Sequence, residues 1–390
     1  MALTPRFLDI HVVQPVPYAN LNRDDTNSVK TMLYGDALRT RISSQAWKRA
    51  VREHFQDALG DNALRTRRIG ERVAEVLLDR GWDELAARRA GAHVAAGSSI
   101  KWEVAKGKDK QFIKNKVLTN ALVYLPEDAV AELADVAEAH KDAITTDFTG
   151  KGKAPESALK GKIDTILLRR NGVINLFGRM LAEVDQAGVD GAVQVAHAFT
   201  THATEVELDY FAAVDDVTAT KGDETGSGHM GTAEFSTGTL YRFATVDLEE
   251  LAKNLSDDRD TAVGAARELA RQFMLSFIES LPQAKKNSTA PHSLPHLVHV
   301  AVRSDRPLSF AAAFEEPVQS AQQGGYVARS VEAIDAYSEA ANALLGPDRV
   351  LTAAHASLRF DKLEHLGERH QSFADLATAA LDTALPEVPQ

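Results

Sequence analysis

Apolar and polar residues alternate at the start of this chain and fall into helical spacing soon after. Residues 6–13 alternate well enough to predict a strand, with Pro15 and Pro17 ending it. A polar loop, 20–28, follows. Over 45–59 the spacing predicts a helix. Gln45, Lys48, Arg49 and Arg52 share one face, while Ala46, Trp47, Ala50 and Val51 share the face expected to pack inward. Residues 62–150 read as mainly helical, with Ala/Leu/Glu-rich runs at 72–79 and 127–140. Two Lys/Gly segments, 101–116 and 149–162, break this region and read as mobile surface loops. Residues 192–202 alternate and predict another strand. Strand-like segments 206–217 and 235–246 flank a loop holding Gly222, Gly226, Gly228 and Gly231, which predicts a long hairpin with a flexible tip. Helices at 259–281, 327–345 and 371–384 and strands at 296–303 and 349–355 complete the pattern, with a frayed tail at 386–390. There is no repeat at a solenoid period. Irregular alternation around a mainly helical insert predicts an α+β fold with a small sheet.

Composition narrows the picture. The 390 residues suit one large or two ordinary domains, and 44% apolar content supports a buried core rather than global disorder. The absence of cysteine excludes disulfides and cysteine-ligated metals and fits a cytoplasmic location. Neither a secretory leader nor a membrane span is expected.

The net charge of −11 argues against indiscriminate binding to a polyanion. Its distribution matters more. Basic residues cluster at 30–52, 101–116 and 151–170, and acidic ones at 126–147, 205–224 and 247–260. Lys30, Arg39, Arg41, Lys48, Arg49 and Arg52 crowd one window around Ser43 and Ser44, where a helix begins. Hydroxyls, cations and unpaired N–H groups at a helix start make an anion site, with phosphate the usual anion.

Three collinear blocks carry a resemblance. The first holds Asp9-Ile10-His11-Val12, Leu21-Asn22-Arg23-Asp24-Asp25, Lys30, Arg41-Ile42-Ser43-Ser44-Gln45 and Lys48-Arg49. The second holds Gly178-Arg179-Met180, Val189-Asp190-Gly191-Ala192, Ala196-His197-Ala198 and Thr200-Thr201-His202. The third holds Phe211, Val214-Asp215-Asp216, His229-Met230-Gly231, Glu234-Phe235 and Tyr241-Arg242. Together they resemble the CasC-type backbone subunit of type I-E CRISPR Cascade, of the RRM-like RAMP superfamily.

The resemblance implies a modified RRM-like (ferredoxin-like) palm sheet, a helical fingers insert and a long β-hairpin thumb. On it the palm comprises 1–58, 191–205 and 239–390, the fingers 59–190 and the thumb 206–238. Copies, six in the family pattern, polymerise along the spacer of a CRISPR RNA, and each thumb displaces a nucleotide so that the guide pairs with target double-stranded DNA in short segments. Partners would be adjacent copies, the large, small, five-prime-handle and hairpin-end subunits, and a helicase-nuclease recruited by the whole complex. The subunit itself would be neither an enzyme nor a cofactor or metal carrier. A guide holder must accept every sequence, so it should grip phosphate and sugar and leave base edges free.

Lys30, Ser43, Gln45, Lys48, Arg49, Arg52 and Arg23 are therefore the expected guide contacts, against the plainer reading of a solvated basic face. Arg49 and Arg52 could instead meet a neighbouring subunit. By the resemblance Met180 wedges against guide bases, and Phe211 and Met230 flank the displaced nucleotide; core and hairpin packing are the alternatives, and packing is the expectation for Tyr210. Loop 218–229 is longer than the family leads one to expect, and Ala212 replaces a frequent hydroxyl residue. Lys106, Lys108, Lys110 and Lys114 are candidate DNA contacts or plain surface. Asn22 to Asp25 could instead hold Mg²⁺ in a metal-dependent ribonuclease using Asp24 or Asp25. The preferred reading is a turn, with Arg23 pairing to Asp24 or Asp25. His197 and His202, and His292, His296 and His299, read as structural rather than metal-binding. A third possibility is an unrelated enzyme that binds a phosphorylated small molecule at Ser43–Lys48, without a glycine-rich phosphate loop.

Overall fold

The computed structural model describes residues 4–214, 227–256 and 259–386. Two compact units emerge: Met1–Phe55, Val193–Ala252 and Ser256–Gln390 in the first, Gln56–Ala192 with Lys253–Leu255 in the second. In chain order the first begins with β1 (Phe7–Ala19), β2 (Thr31–Tyr34), β3 (Ala37–Ile42) and α1 (Ser44–Leu59). The second contains β4 (Ala63–Thr66), α2 (Ile69–Asp79), α3 (Glu84–Gly97), β5 (Trp102–Lys106), β6 (Phe112–Thr119), β7 (Val123–Pro126), α4 (Ala129–Ala139), α5 (Asp164–Leu167) and α6 (Gly172–Phe177). The first resumes with β8 (Val193–Val195), β9 (Ala198–Thr200), β10 (Glu207–Val214), β11 (Ser227–Asp247), α7 (Leu248–Leu255), α8 (Arg259–Glu279) and α9 (Lys286–Thr289). It ends with β12 (Leu297–Arg303), α10 (Val327–Leu345), β13 (Val350–Ser357), β14 (Glu368–Arg369) and α11 (Phe373–Ala384).

The palm sheet runs β14-β13-β12-β1-β11-β9-β3-β2, with β8 and β10 also on β11. It is much larger than the small sheet expected, because β11 runs for 21 residues and serves both thumb and palm. The first eight residues of β1 are buried, so both sheet faces are covered. On one face Val13, Tyr241, Phe243 and Leu297 pack with Phe310, Phe314 and α10 residues Val331 and Ile334. On the other, Arg242 of β11 meets Trp47 of α1 and Phe277 of α8.

The prolines do not end β1. Val13 O accepts His296 N–H at the point where β12 stops, and Pro15 O accepts the Ser293 hydroxyl. Alternation turns the Pro15 nitrogen to that same side, beyond the end of β12, so its missing N–H breaks no ladder bond while β11 continues alongside. The segment 101–116 is not a loop but most of the β5–β6 hairpin, since Asn115, Val117 and Thr119 alternate inward between exposed Lys114 and half-buried Lys116 and Leu118. The strand expected over 192–202 splits at Ala196-His197 into β8 and β9. Segment 149–162 is irregular, as expected.

In the second unit α2 and α3 cross where Gly70 faces Gly91: a Cβ on Gly70 would lie 2.5 Å from the Gly91 carbonyl oxygen. Their Ala-rich faces join α4, Phe148 and Leu159 in one core. Among the described residues no helix is long and apolar enough to cross a membrane. Most of the 218–229 tip lies outside the described residues.

Candidate nucleic-acid interface

Strand β3 delivers the chain to α1 at the edge of the palm. Ser43 caps the helix: its Oγ accepts Ala46 N–H at 3.3 Å, its carbonyl accepts Trp47 N–H, and its own N–H donates to Asn22 Oδ1 at 2.8 Å. Only 8% exposed, Ser43 shapes the helix start rather than presenting its hydroxyl. Ser44 N–H donates to His197 Nδ1 at 3.3 Å. The first-turn amides of Ser44, Ala46 and Trp47 thus already have acceptors. This corrects the expectation of unpaired N–H groups at these three positions.

Those side chains share a surface. Gln45 and Arg49 are exposed, while Lys30, Arg41, Lys48 and Arg52 are half-buried. Lys48 reaches Val193 O at 3.5 Å, and burial lowers its ammonium below the ordinary lysine value. Arg49 pairs with Glu53 at 2.7 Å, one turn on. Beside them, a small cleft of about 20 Å³ is lined in part by Asn22, Thr40, Arg41, Thr200 and Ser236. Two members escaped the sequence reading as contacts. Arg41 Nη1 lies 3.2 Å from His197 Nδ1. With two donors on Nδ1, the ring proton sits on Nε2. Burial, then the Arg41 charge, holds this imidazole below its usual value. The signal was the chance to place Ala196-His197 at a break between strands rather than within one.

The Asn22–Asp25 loop is organised by one carboxylate. Asp24 Oδ1 accepts from Thr26 N, Thr26 Oγ1 and Ser28 N, and these bonds, the Thr26 hydroxyl first, hold Asp24 below its ordinary value. Arg23 bonds Asn27 Oδ1 at 2.7 Å, not Asp24 or Asp25 as expected. Among the described residues no group of three or more His, Cys, Asp or Glu could hold a metal ion. His202 stacks on Tyr326 at 3.5 Å and accepts Thr239 N–H, and His299 lies buried in the sheet.

In the second unit Met180 is 94% exposed, which excludes core packing. Its mount is rigid. Gly178 takes φ +78° where a Cβ would lie 2.7 Å from Gly191 N, and Arg179 and Val189 form an isolated bridge. Arg179 is buried and donates to the carbonyls of Ala187, Tyr124, Arg169 and Leu168. Burial, then Arg170, lowers its guanidinium to about 10.

On the thumb, Phe211 pairs with Gly231 and lies across it, and Ala212 pairs with Met230. Phe211 and Met230 therefore sit on opposite faces of the ribbon. Tyr210, expected to pack on the hairpin, is 76% exposed and shares a face with Leu208 and Met230, both also exposed. An edge ribbon has no second layer to receive it. Among the lysines, Lys114 pairs with Asp147 at 2.6 Å and Lys106 sits 4.8 Å over the Phe112 ring. Lys108 and Lys110 stand exposed at the hairpin turn.

Fold and site define an α+β protein with an RRM-like palm, presenting a cationic helix start and exposed apolar side chains. Residues 8–379 match the family of CT1975-like Cas proteins, and the chain belongs to that family. Two solved structures are similar over 97% of this chain and 100% of theirs. One is a chain of a "CRISPR RNA-guided surveillance complex, pre-nicking", with 42% identity and a TM-score of 0.85. The other is a chain of a "CRISPR RNA-guided surveillance complex", with 37% identity and a TM-score of 0.77. No curated protein matches.

Proposed function

We propose that this chain is the CasC-type backbone subunit of a type I-E Cascade, binding CRISPR RNA in the cytoplasm and polymerising along its spacer. What supports this most is the full-length likeness, at 42% identity, to a chain of an RNA-guided surveillance complex. The geometry is compatible with it. Gln45, Lys48 and Arg49, with Lys30, Arg41 and His197, would grip phosphate and sugar, and Ser43 would act through the helix it caps. Met180, Phe211 and Met230 would wedge without choosing a sequence. Neighbouring copies, the other Cascade subunits and a recruited helicase-nuclease are the partners, and target DNA is met through the guide. On this reading the chain cuts nothing: Asp24, one of the two ribonuclease candidates with Asp25, commits its Oδ1 to the 24–28 turn.

Coexpression with the partner subunits and a CRISPR RNA, followed by sizing and imaging, tests the proposal. A crescent or filament containing RNA is expected. A monomer without RNA would overturn it, and Mg²⁺-dependent RNA cleavage lost in Asp24→Ala or Asp25→Ala would favour the ribonuclease.

A further inference from the structure

The β5–β6 hairpin carries a feature that guide holding does not use. Trp102 and Val104 point to one face by strand alternation; past a register shift, Lys106 and its cross-strand partner Phe112 line the same cleft. Opposite lies the irregular segment Gly150–Pro155, with Lys151 between two glycines. A Cβ on Gly150 would come within 2.4 Å of the Phe112 ring, so only glycine brings this wall so close. Between the walls is a solvent-open cleft of about 480 Å³. That is within the range for small-molecule sites.

The lining chemistry selects a ligand. Trp102 offers an aromatic surface for stacking, Phe112 holds the Lys106 ammonium 4.8 Å from its ring centre, and Lys106 and Lys151 supply positive charge. The one acidic lining residue, Glu103, is held by Arg67 at 3.0 Å. Among the described residues no side-chain amide or hydroxyl lines the cleft, so nothing there reads base edges. Flat apolar surfaces with cations and no base-edge reader suit an unpaired nucleotide of any sequence. A paired duplex hides its base faces and does not suit it.

We propose that this cleft holds an unpaired nucleotide of a single DNA strand, its base against Trp102 and its phosphate on Lys106 and Lys151. The source of the strand, DNA displaced when a guide pairs with its target, rests on the proposed function. The affinity for an unpaired strand can be measured apart from it. The full-length protein, loaded with guide RNA, is titrated with oligothymidylate while tryptophan emission and guide retention are followed separately. Oligothymidylate should quench emission, and Trp102→Phe should remove the quench. The double variant Lys106→Ala/Lys151→Ala should weaken binding about tenfold or more, leaving guide retention unchanged. Lys160→Ala, whose ammonium pairs with Glu156, should bind as the parent does. Unchanged affinity in the double variant, equal binding of a duplex, or tighter binding of oligouridylate than of oligothymidylate would each overturn the assignment. Loss of guide retention in the parent protein would instead count against the proposed function.

Discussion

Replacing Gly178 by alanine tests whether the mount of Met180 is as constrained as its geometry states. Gly178 has φ 78° and ψ 165°, a region open essentially to glycine alone and costing other residues about 1–3 kcal/mol. The added Cβ would also lie 2.7 Å from Gly191 N and 2.9 Å from Val189 O. Both are backbone atoms that cannot rotate away, so overpacking adds about 1–3 kcal/mol. The combined loss should be about 4 kcal/mol. Gly161 is the control: its φ is +73°, but nothing lies within 4 Å of its Cβ position. Gly161→Ala should cost about 1–2 kcal/mol, from backbone strain alone. Urea unfolding of both variants, compared at constant m-value, isolates the clash. Equal losses would refute the argument, because they would mean that the Gly178–Gly191 approach relaxes freely.

Met180→Ala, at a residue 94% exposed, should leave the unfolding midpoint unchanged; with wedging as its role, it should weaken target pairing in the assembled complex while sparing guide retention. Lys48→Ala should lower guide affinity at every spacer sequence and reduce the slope of log affinity against log salt by about one; an unchanged slope would remove Lys48 from the phosphate contacts. Stability should also depend on pH in a defined way. His11, His299 and His355 pair directly across β1, β12 and β13, and burial pushes all three imidazoles down, His299 to about 4. Their stability contribution is complete above the unfolded value near 6.5 and is lost as pH falls below it, because the unfolded chain takes up protons that the fold refuses. Asp9 acts oppositely: burial raises it to about 7, so it favours the fold increasingly as pH falls from 7 towards 4. Asp9→Asn can still accept the Leu308 N–H and removes this opposing slope, so its melting temperature should fall more steeply than the parent's below pH 6.5; parallel curves would refute the assignment.

The elements with strong periodicity were legible in the sequence. Helix α10 and the inward face of α1 follow apolar spacing that local pattern alone determines. The hairpin β5–β6 was not, because its inward residues include Asn115 and Thr119, which carry no hydrophobic signal. Asn115 is buried because it bonds Asp147 and accepts Phe148 N–H, partners far along the chain. The continuation of β1 past two prolines depends on where β12 stops, which is again non-local. At the interface, the cations of 41–52 were legible as a cluster. The Ser43 cap was legible too, because its partner Ala46 lies three residues on; the Arg41–His197 approach was not, because it depends on a partner more than 150 residues away.

Counting cations in the basic window overstates the surface available to phosphate, and the reason extends through the palm. Arg39 belongs to that window yet is wholly buried, donating to the carbonyls of Thr200, Phe314 and Glu315. Arg242 is buried likewise. Its guanidinium lies 3.8 Å over Trp47 and donates to Gln14 Oε1 and to the carbonyls of Phe277 and Ile278, and burial pulls it down to about 9. No carboxylate is among these acceptors; the charge is set against the carbonyl end of α8, where a helix dipole favours a cation. The same guanidinium stacks on the apolar face of α1. Gln45, Lys48 and Arg49 therefore ride on a helix fixed from beneath by a cation that never meets solvent. On the proposed function, Arg242 would serve the phosphate surface by position and Arg49 by contact, and burial tells them apart.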